Sequence, residues 1–494
     1  MERSSVITFG EWLPDQEALN SRGTTFAKNV IPMLSGYRSF KQLAPVSNAA
    51  TNELLGMFAG KDDESSAQIY AGDAGKLYEF SPGTLAMTDL SKSGGYNTLG
   101  SNKWNFSQFG EKVLATNYDD NIQIATVADS TAFADLGGTP PRAHFITVVR
   151  DQVMVANTYD STDLEKPYRI WWSGLNDETS WTPGTNLSDY QDISDIGHCT
   201  GLVGGEYAIA LFEKAIVRGV FTGYPTVYEF SKLTTAKGCT VPGSVAAVGS
   251  SQVFWFGDDG FYMLQGNEIK AIGAEKINRW FLDRLNVSYK QNMSAGVDPR
   301  SQNVIWSFPS TSSADGSNDE ILIYNYTLDR WSYAEENCTA VAPLFTAGYT
   351  LEELDAYGGL DNLPAPLDDA IWQGGAFFFA GAKDKKIQSF TGASLDATVD
   401  TGEFQVAPGR RSVVNLVIPY ITSNSGQSQT VTAKVGSRSR QVDQPTFTSA
   451  SSLTSDGYCP VRSNGAFHRV RVDITGEWNL AMGVDVDSKQ QGLR

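Results

Sequence analysis

Short apolar runs separated by Gly/Asp turns recur along most of the chain. Gln68-Ile69-Tyr70-Ala71 leads into Gly72-Asp73-Ala74-Gly75 and out through Lys76-Leu77-Tyr78-Glu79-Phe80. Val253-Phe254-Trp255-Phe256 leads into Gly257-Asp258-Asp259-Gly260 and out through Phe261-Tyr262-Met263-Leu264, and Ala376 to Ala380 is followed by a polar turn and Lys386 to Phe390. An apolar run, a turn of residues that tolerate unusual backbone angles, and a second apolar run together signal a β-hairpin. Similar hairpins begin near Val113, Val153, Ala208 and Val304. Most of the seven starts are about 40 to 55 residues apart, the length of a four-stranded propeller blade. The pattern predicts a mainly β fold with a β-propeller of six or seven units over residues 51–394. Two or three stacked β-sandwiches are the rival arrangement at this spacing.

The ends have a different texture. Residues 1–50 lack the repeat and read as an N-terminal extended arm with one or two strands. After about residue 394 the strands lengthen: Val413 to Tyr420, Thr430 to Val435 and His468 to Ile474. Several alternate apolar with polar, which predicts a C-terminal β-sandwich-like domain over residues 395–494. Two helices are expected. In Ala274 to Leu285, Ile277, Trp280, Phe281 and Leu285 share one face, the stripe of a helix packed on a sheet. Near residues 350–370, Thr350 and Glu353 form a capping-box pattern for a short helical insertion. A connector through Pro364 and Pro366 follows it.

Charge narrows the function classes. The 494-residue chain carries a formal charge of −18. Residues 395–494 hold 10 Lys/Arg and 9 Asp/Glu, against 28 and 47 in the first 394. So acidic a chain does not read as a nucleic-acid clamp, which would present a basic groove to the phosphates. An acidic wall past which DNA slides without sticking is compatible with it, since repulsion extends about 8 Å at physiological salt. The N-terminal MERSSVITFGEWLPD has no apolar stretch of signal-peptide length, and no window approaches the roughly 18 apolar residues of a membrane span. Cys199, Cys239, Cys338 and Cys459 lie far apart, form no CxxC pair and read as reduced thiols of a chain made in a cytoplasm.

The search for chemistry yields no catalytic, cofactor-binding or metal-ligating residue. His144, His198 and His468 have no metal-ligand spacing, and the adjacent His198-Cys199 would point in opposite directions on a strand. Asp315 to Glu320 has a calcium-like composition without EF-hand spacing, so a solvated hairpin loop is expected. GxSxG, GxxxxGK[ST] and strand-linked GxGxxG motifs are absent. Glycoside hydrolysis is the enzyme class left, because acidic, tryptophan-rich propellers can cleave sugars with paired carboxylates. Ser173 to Trp181 resembles the sialidase Asp box, which is itself a turn motif. Here asparagine stands where the box needs aspartate, and glutamate where it needs glycine. The chain is expected not to be an enzyme.

Several ordered stretches resemble the tail hub or nozzle proteins of short-tailed bacteriophages, a family that includes the packaged-DNA stabilisation proteins. They begin with Trp12-Leu13-Pro14-Asp15, Ala27 to Pro32 and Gly36-Tyr37-Arg38, and continue with Trp172 to Asp177 and Trp181. The clearest stretch runs from Gly204-Gly205-Glu206-Tyr207 through Ala215 to Arg218 and on to Phe230. Lys237-Gly238-Cys239, Pro242-Gly243-Ser244, Asp258 to Met263, Leu351 to Asp355, Thr401-Gly402-Glu403 and Trp478 to Gly483 follow. The resemblance implies a virion structural protein: a homo-hexameric ring below the portal and its adaptor ring. Its bore would pass double-stranded DNA without binding it specifically, and its lower end would meet a needle, plug or fibres. It implies no cofactor. The head-to-tail interfaces of a closed ring suit a rigid propeller block, with the arm available to clasp a neighbour. A glycan-binding propeller or glycosidase of the tail is the alternative.

Overall fold

The computed structural model describes residues 6–17, 23–63, 67–127, 129–346, 352–363, 366–367, 375–406, 409–424 and 428–491. Seven four-stranded antiparallel units form a β-propeller, and every hairpin expected from the sequence supplies the second and third strands of one of them. Blade one is Gly56–Lys61, Ala67–Gly72, Leu77–Ser81 and Ala86–Asp89. Blades two to six span residues 105–135, 142–192, 199–234, 246–271 and 294–334. Blade seven takes three strands from residues 340–389. Its fourth is Ala44–Pro45 of the N-terminal arm, which pairs with Ser389 and Gln388. The ring is thus closed by hydrogen bonds between distant parts of the chain. The first strands of all seven blades border one cavity on the propeller axis.

The arm contributes five short strands: β1 (Ile7–Thr8), β2 (Ala27–Lys28), β3 (Val30–Met33), β4 (Gly36–Ser39) and β5 (Ala44–Pro45). β3 and β4 extend a sheet whose other members are Leu480–Gln490, Ser412–Thr422 and Cys459–Gly465, and β1 pairs with Leu480–Gln490. The facing sheet contains Ala397–Asp400, Phe467–Gly476 and Gln429–Arg438. Its alternation is regular: Val470, Val472 and Ile474 are fully buried between the sheets, while Arg469, Arg471 and Asp473 point away. Each such buried apolar side chain contributes roughly 1.5–3 kcal/mol.

β2 joins the two regions. Lys28 pairs in parallel with Tyr333 of blade six, and Ala27 pairs antiparallel with Val399 of the sandwich, so one ten-stranded sheet runs through both. The turn out of β2 needs a left-handed residue, and Asn29 supplies it at φ +58°. Its amide fixes the junction by donating to Asp396 O (2.8 Å) and accepting from Glu335 N (2.8 Å). The described part of the arm is therefore bound along its own chain.

The expected helix over 274–285 is shorter, α1 (Asn278–Arg284). Gly273 O accepts from the N–H groups of Lys276, Ile277 and Asn278, and Glu275 has φ +59°, so residues 274–277 form turns. Ile277, Phe281 and Leu285 are buried, as the stripe requires. The helix lacks a cap from its own chain segment. Asp15 supplies one, accepting from Arg279 N (2.8 Å) and Trp280 N (2.9 Å). Trp12 and Asp15 of one sequence motif thus act together, since the buried Trp12 ring packs edge-on against Trp280 at 4.6 Å. In the segment where a short helical insertion is expected, Glu353–Tyr357 and Leu360–Asn362 are 3₁₀ helices; Thr350, the expected cap, lies outside the described residues, and Glu352 precedes the first without a side-chain cap. Among the described residues no helix is long and apolar enough to cross a membrane.

Candidate functional site: the propeller axis

The axial cavity is the concave feature to which every blade contributes. It narrows to a throat of about 250 Å³ lined by small and apolar residues, among them Gly56, Gly201, Gly243 and Ala295, with Trp104 and Phe145. Small residues suit the place where seven strands converge. A Cβ at Gly56 would lie 2.4 Å from Trp104 O, and one at Gly243 only 1.8 Å from Met293 O. Trp104 itself is buried and donates its indole N–H to Asp73 O at 2.8 Å.

The two mouths differ. At the starts of the first strands lies a polar recess of about 270 Å³, with Asn102, His144, Asn157, His198, Thr200 and Gln291 around it. At the opposite end an apolar mouth of about 770 Å³ is lined by Met57, Phe58, Val297, Pro343, Phe345 and Phe377, with Arg300 at its edge.

Lys103 borders both the polar recess and the throat. Its ammonium donates to Asn292 O (2.8 Å) and Met293 O (2.7 Å), and among the described residues it has no carboxylate partner. Burial pushes its pKa down to about 8. His144 stacks on Tyr118 with ring centres 3.8 Å apart, and burial holds its imidazole down at about 4, with Asp119 pulling weakly the other way. Glu213 is the carboxylate among the described residues at the recess, and its Oε2 accepts from the His198 N–H at 3.1 Å. A glycosidase needs two carboxylates about 5 to 10 Å apart. The described lining of the throat contains none.

The motifs weighed for chemistry are held by turns. His198 is exposed while Cys199 is buried, its thiol donating to Gly201 O (3.4 Å) and pushed up to about 12 by burial. Among the described residues no three His, Cys, Asp or Glu side chains are grouped to hold a metal. All four cysteines are buried and unbridged. In the Asp315 loop, Asp315 Oδ1 accepts from the N–H (3.0 Å) and hydroxyl (2.7 Å) of Ser317, which makes a self-contained turn. In the Ser173 to Trp181 segment, Gly174 N–H donates to Ser180 O (2.7 Å) and the buried Trp181 donates to Glu178 O (2.7 Å). Asp259 accepts from Lys237 (2.8 Å) and Tyr262 (2.6 Å), and Gly260, at φ +148°, leaves space that a Cβ would take from Asn278.

Sequence reasoning passed over Lys103 and Trp104. The one signal for them is a basic residue beside a tryptophan after a Gly/Ser-rich turn, which many surface loops share. No family model matches this chain, and no curated protein matches it. Among solved structures, the chain is similar to the computationally designed Ika8 protein, at 8% identity over 79% of this chain and 100% of that one, with a TM-score of 0.37. It is also similar to YCF48 bound to D1 peptide, at 9% identity over 72% of this chain and 98% of that one, with a TM-score of 0.37. The propeller assignment itself rests on the strand order of this chain, seven four-stranded units closed on one axis.

Proposed function

We propose that this chain is a structural tail protein of a bacteriophage virion, a hub or nozzle subunit that forms a ring below the portal and adaptor. The ring would hold packaged DNA in place and pass it during ejection, with a needle, plug or fibres at its lower end. The observation that carries this reading is mechanical. A propeller and a sandwich share one ten-stranded sheet and one apolar core, and the arm is woven through both, which makes a stiff block suited to ring building. The ordered motifs named above support the same reading. A hexamer, an acidic bore and assembly in a host cytoplasm belong to this proposal.

The polar recess favours a second reading, a propeller that binds surface glycans. Amide, hydroxyl and imidazole groups around an indentation of about 270 Å³ are the donors and acceptors a sugar needs. One experiment separates the two: electron microscopy of particles from a phage with a stop codon in this gene. The hub reading expects assembled heads that lose their DNA and tails cut short below the portal. Filled particles with complete tails that fail only in attachment would replace it with the glycan reading.

A further inference from the structure

The acidity of the chain stops at the sandwich, and the free cations of the sandwich gather at one of its corners. Residues 395–494 hold 10 Lys/Arg and 9 Asp/Glu, against 28 and 47 before them. Lys434, Arg438, Arg440, Arg469 and Arg471 each form an ion pair with a carboxylate of the sandwich. Arg410, Arg411, Arg462 and Lys489 are the other described cations of this region, and among the described residues none of the four forms an ion pair.

Strand register brings these four together. Val413, near the start of Ser412–Thr422, pairs with Lys489 on one side and with Asn464 on the other. Paired residues share a face, and so do residues two apart, so Arg411, Arg462 and Lys489 stand on one face with Asn464. Strands about 4.8 Å apart, with a rise of about 3.4 Å per residue, make this a patch about 15 Å across. That face is outward: Ser412, Val414 and Ser463 of the other face are buried, whereas Arg410, Arg462, Asn464 and Lys489 are exposed. Gln491 closes the end of the sheet, donating its N–H to Arg411 O (2.8 Å) and accepting from Asn464 Nδ2 (3.1 Å). Asp487, two positions before Lys489, is the carboxylate that register places beside the corner. Four cations against this one carboxylate leave an excess of three positive charges on a chain whose formal charge is −18.

Resting on the reading of this chain as a hub that passes DNA, we propose that this corner contacts the phosphate backbone of double-stranded DNA without regard to sequence. Apart from Val413, residues 410–413, 462–464 and 488–491 are all polar or charged. Arginine and lysine interleaved with Asn and Gln amides is the donor set that phosphates take. An interface between two copies would instead be expected to centre on apolar and aromatic side chains. The acidic propeller repels the duplex elsewhere, so contact is confined to the corner.

The test is fluorescence anisotropy of a labelled short DNA duplex titrated with the full chain. Binding is expected to weaken as salt rises from about 50 to 200 mM, with a log–log slope of about −3 to −4 for four phosphate contacts. Arg462→Ser combined with Lys489→Ser, both exposed, is expected to take about two from that slope and to weaken binding about tenfold or more at the lowest salt. Lys214→Ser combined with Lys270→Ser removes the same charge from exposed positions of the propeller and is expected to leave the slope unchanged. Should the first pair of substitutions prevent folding, Arg410→Ser alone is expected to lower the slope by about one. No binding by the wild type at the lowest salt, or equal losses from the two double variants, overturns the proposal. Self-association in light scattering that the first double variant abolishes, in a wild type that ignores the duplex, assigns the corner to a contact between copies and overturns it too. Heads that shed DNA and tails cut short in the stop-codon particles, beside an isolated chain that ignores the duplex, retain the hub and strike out this contact. Duplex binding through the corner beside filled, complete particles retains the contact and strikes out the hub.

Discussion

The propeller and the sandwich are built by opposite routes. In blades one to six each strand pairs with its neighbours in sequence, as Lys112–Thr116 does with Asn105–Phe109 and Gln123–Thr126. In the sandwich, strands from the first 40 residues lie against strands from the last 30, as Tyr37 does against Ala481 and Ile7 against Val484. Ion pairs, by contrast, are not divided this way. The propeller has the exposed Lys232–Asp195 pair, at 34% and 65%, but also Arg169, 3% exposed beside Asp163 and Asp192, and the sandwich has Asp400 and Glu403, 0% and 4% exposed against Arg471 and Arg438, but also the exposed Arg440–Asp443 pair. Local pairing makes a blade from a repeat. The sandwich and the seam need specific partners brought from far away, so single substitutions there should weigh most.

Trp12→Ala should give the largest effect. Trp12 is fully buried against Trp280 and Tyr333, where α1, blade six and the arm meet. Its removal is expected to cost about 3–5 kcal/mol. Chemical denaturation followed by near- and far-ultraviolet circular dichroism should show one transition moved to lower denaturant, because one sheet and one core span both regions. Two separated transitions would break the picture of a single block.

Arg471→Met compares a buried ion pair of the sandwich with an exposed one of the propeller. Asp400 accepts from Arg471 at 2.7 and 3.0 Å, and Arg469 Nε stands 3.4 Å away. Burial pushes the Asp400 carboxyl up, against the pull of both arginines. Removing one partner leaves a buried carboxylate half-compensated, at a cost of about 3 kcal/mol. Lys232→Ala, which breaks an exposed propeller pair, should cost about 0.5 kcal/mol or less. Urea midpoints of the two variants measure the contrast, and equal losses would remove it.

Acid should weaken both regions through their histidines. The half-buried His144 has its imidazole held at about 4, against about 6.5 in the unfolded chain. Between those values the unfolded chain binds more protons, so stability is present above pH 6.5 and is lost as pH falls toward 4. The loss is about 2 kcal/mol after allowance for partial exposure. In the sandwich, burial lowers the pKa of His468 as well, and His468 shares a 2.8 Å hydrogen bond with Ser412 Oγ. The stability of a His144→Phe variant measured from pH 4 to 7 should vary less steeply than that of the wild type. An unchanged slope would place the acid sensitivity elsewhere.

The same contrast explains what could be read from the sequence. Six of the seven hairpin starts fall in the second strand of a blade and the seventh, Ala376, directly precedes one, because second strands are largely buried and appear as dense apolar runs such as Val253 to Phe256. Several fourth strands are edge strands with little apolar content, such as Ala134–Asp135 and Glu268–Ala271, and carry no legible pattern. First strands face the axis, where Asn105–Phe109 is only half-buried throughout. The wide gap before the last hairpin reflects residues 346–376, inserted between the first and second strands of blade seven. The sites were less legible than the fold. Lys103 reaches the axis through a loop before the strand Asn105–Phe109, which leaves no spacing that a motif search can find.

The smallest expected effect tests how the arm is held. Asp15 caps α1 across 264 positions of sequence, accepting from the Arg279 and Trp280 N–H groups, while Arg279 Nη2 donates back to Asp15 O at 3.0 Å. A carboxylate at a helix N-terminus satisfies orphan donors and meets the positive end of the helix dipole. Asp15→Ala should therefore cost about 1 kcal/mol, and Asp15→Asn, which keeps an acceptor but loses the charge, about half of that. Hydrogen exchange gives the sharper measurement. If Asp15 only caps the helix, protection falls at Arg279 and Trp280 alone. If it also anchors the arm, protection falls as well at Leu13 and Thr24, whose N–H groups donate to Thr24 O and Glu11 O. The second pattern would identify this cap as a tie between sandwich and propeller, because the next strand of the arm, β2, is the strand that joins their sheets.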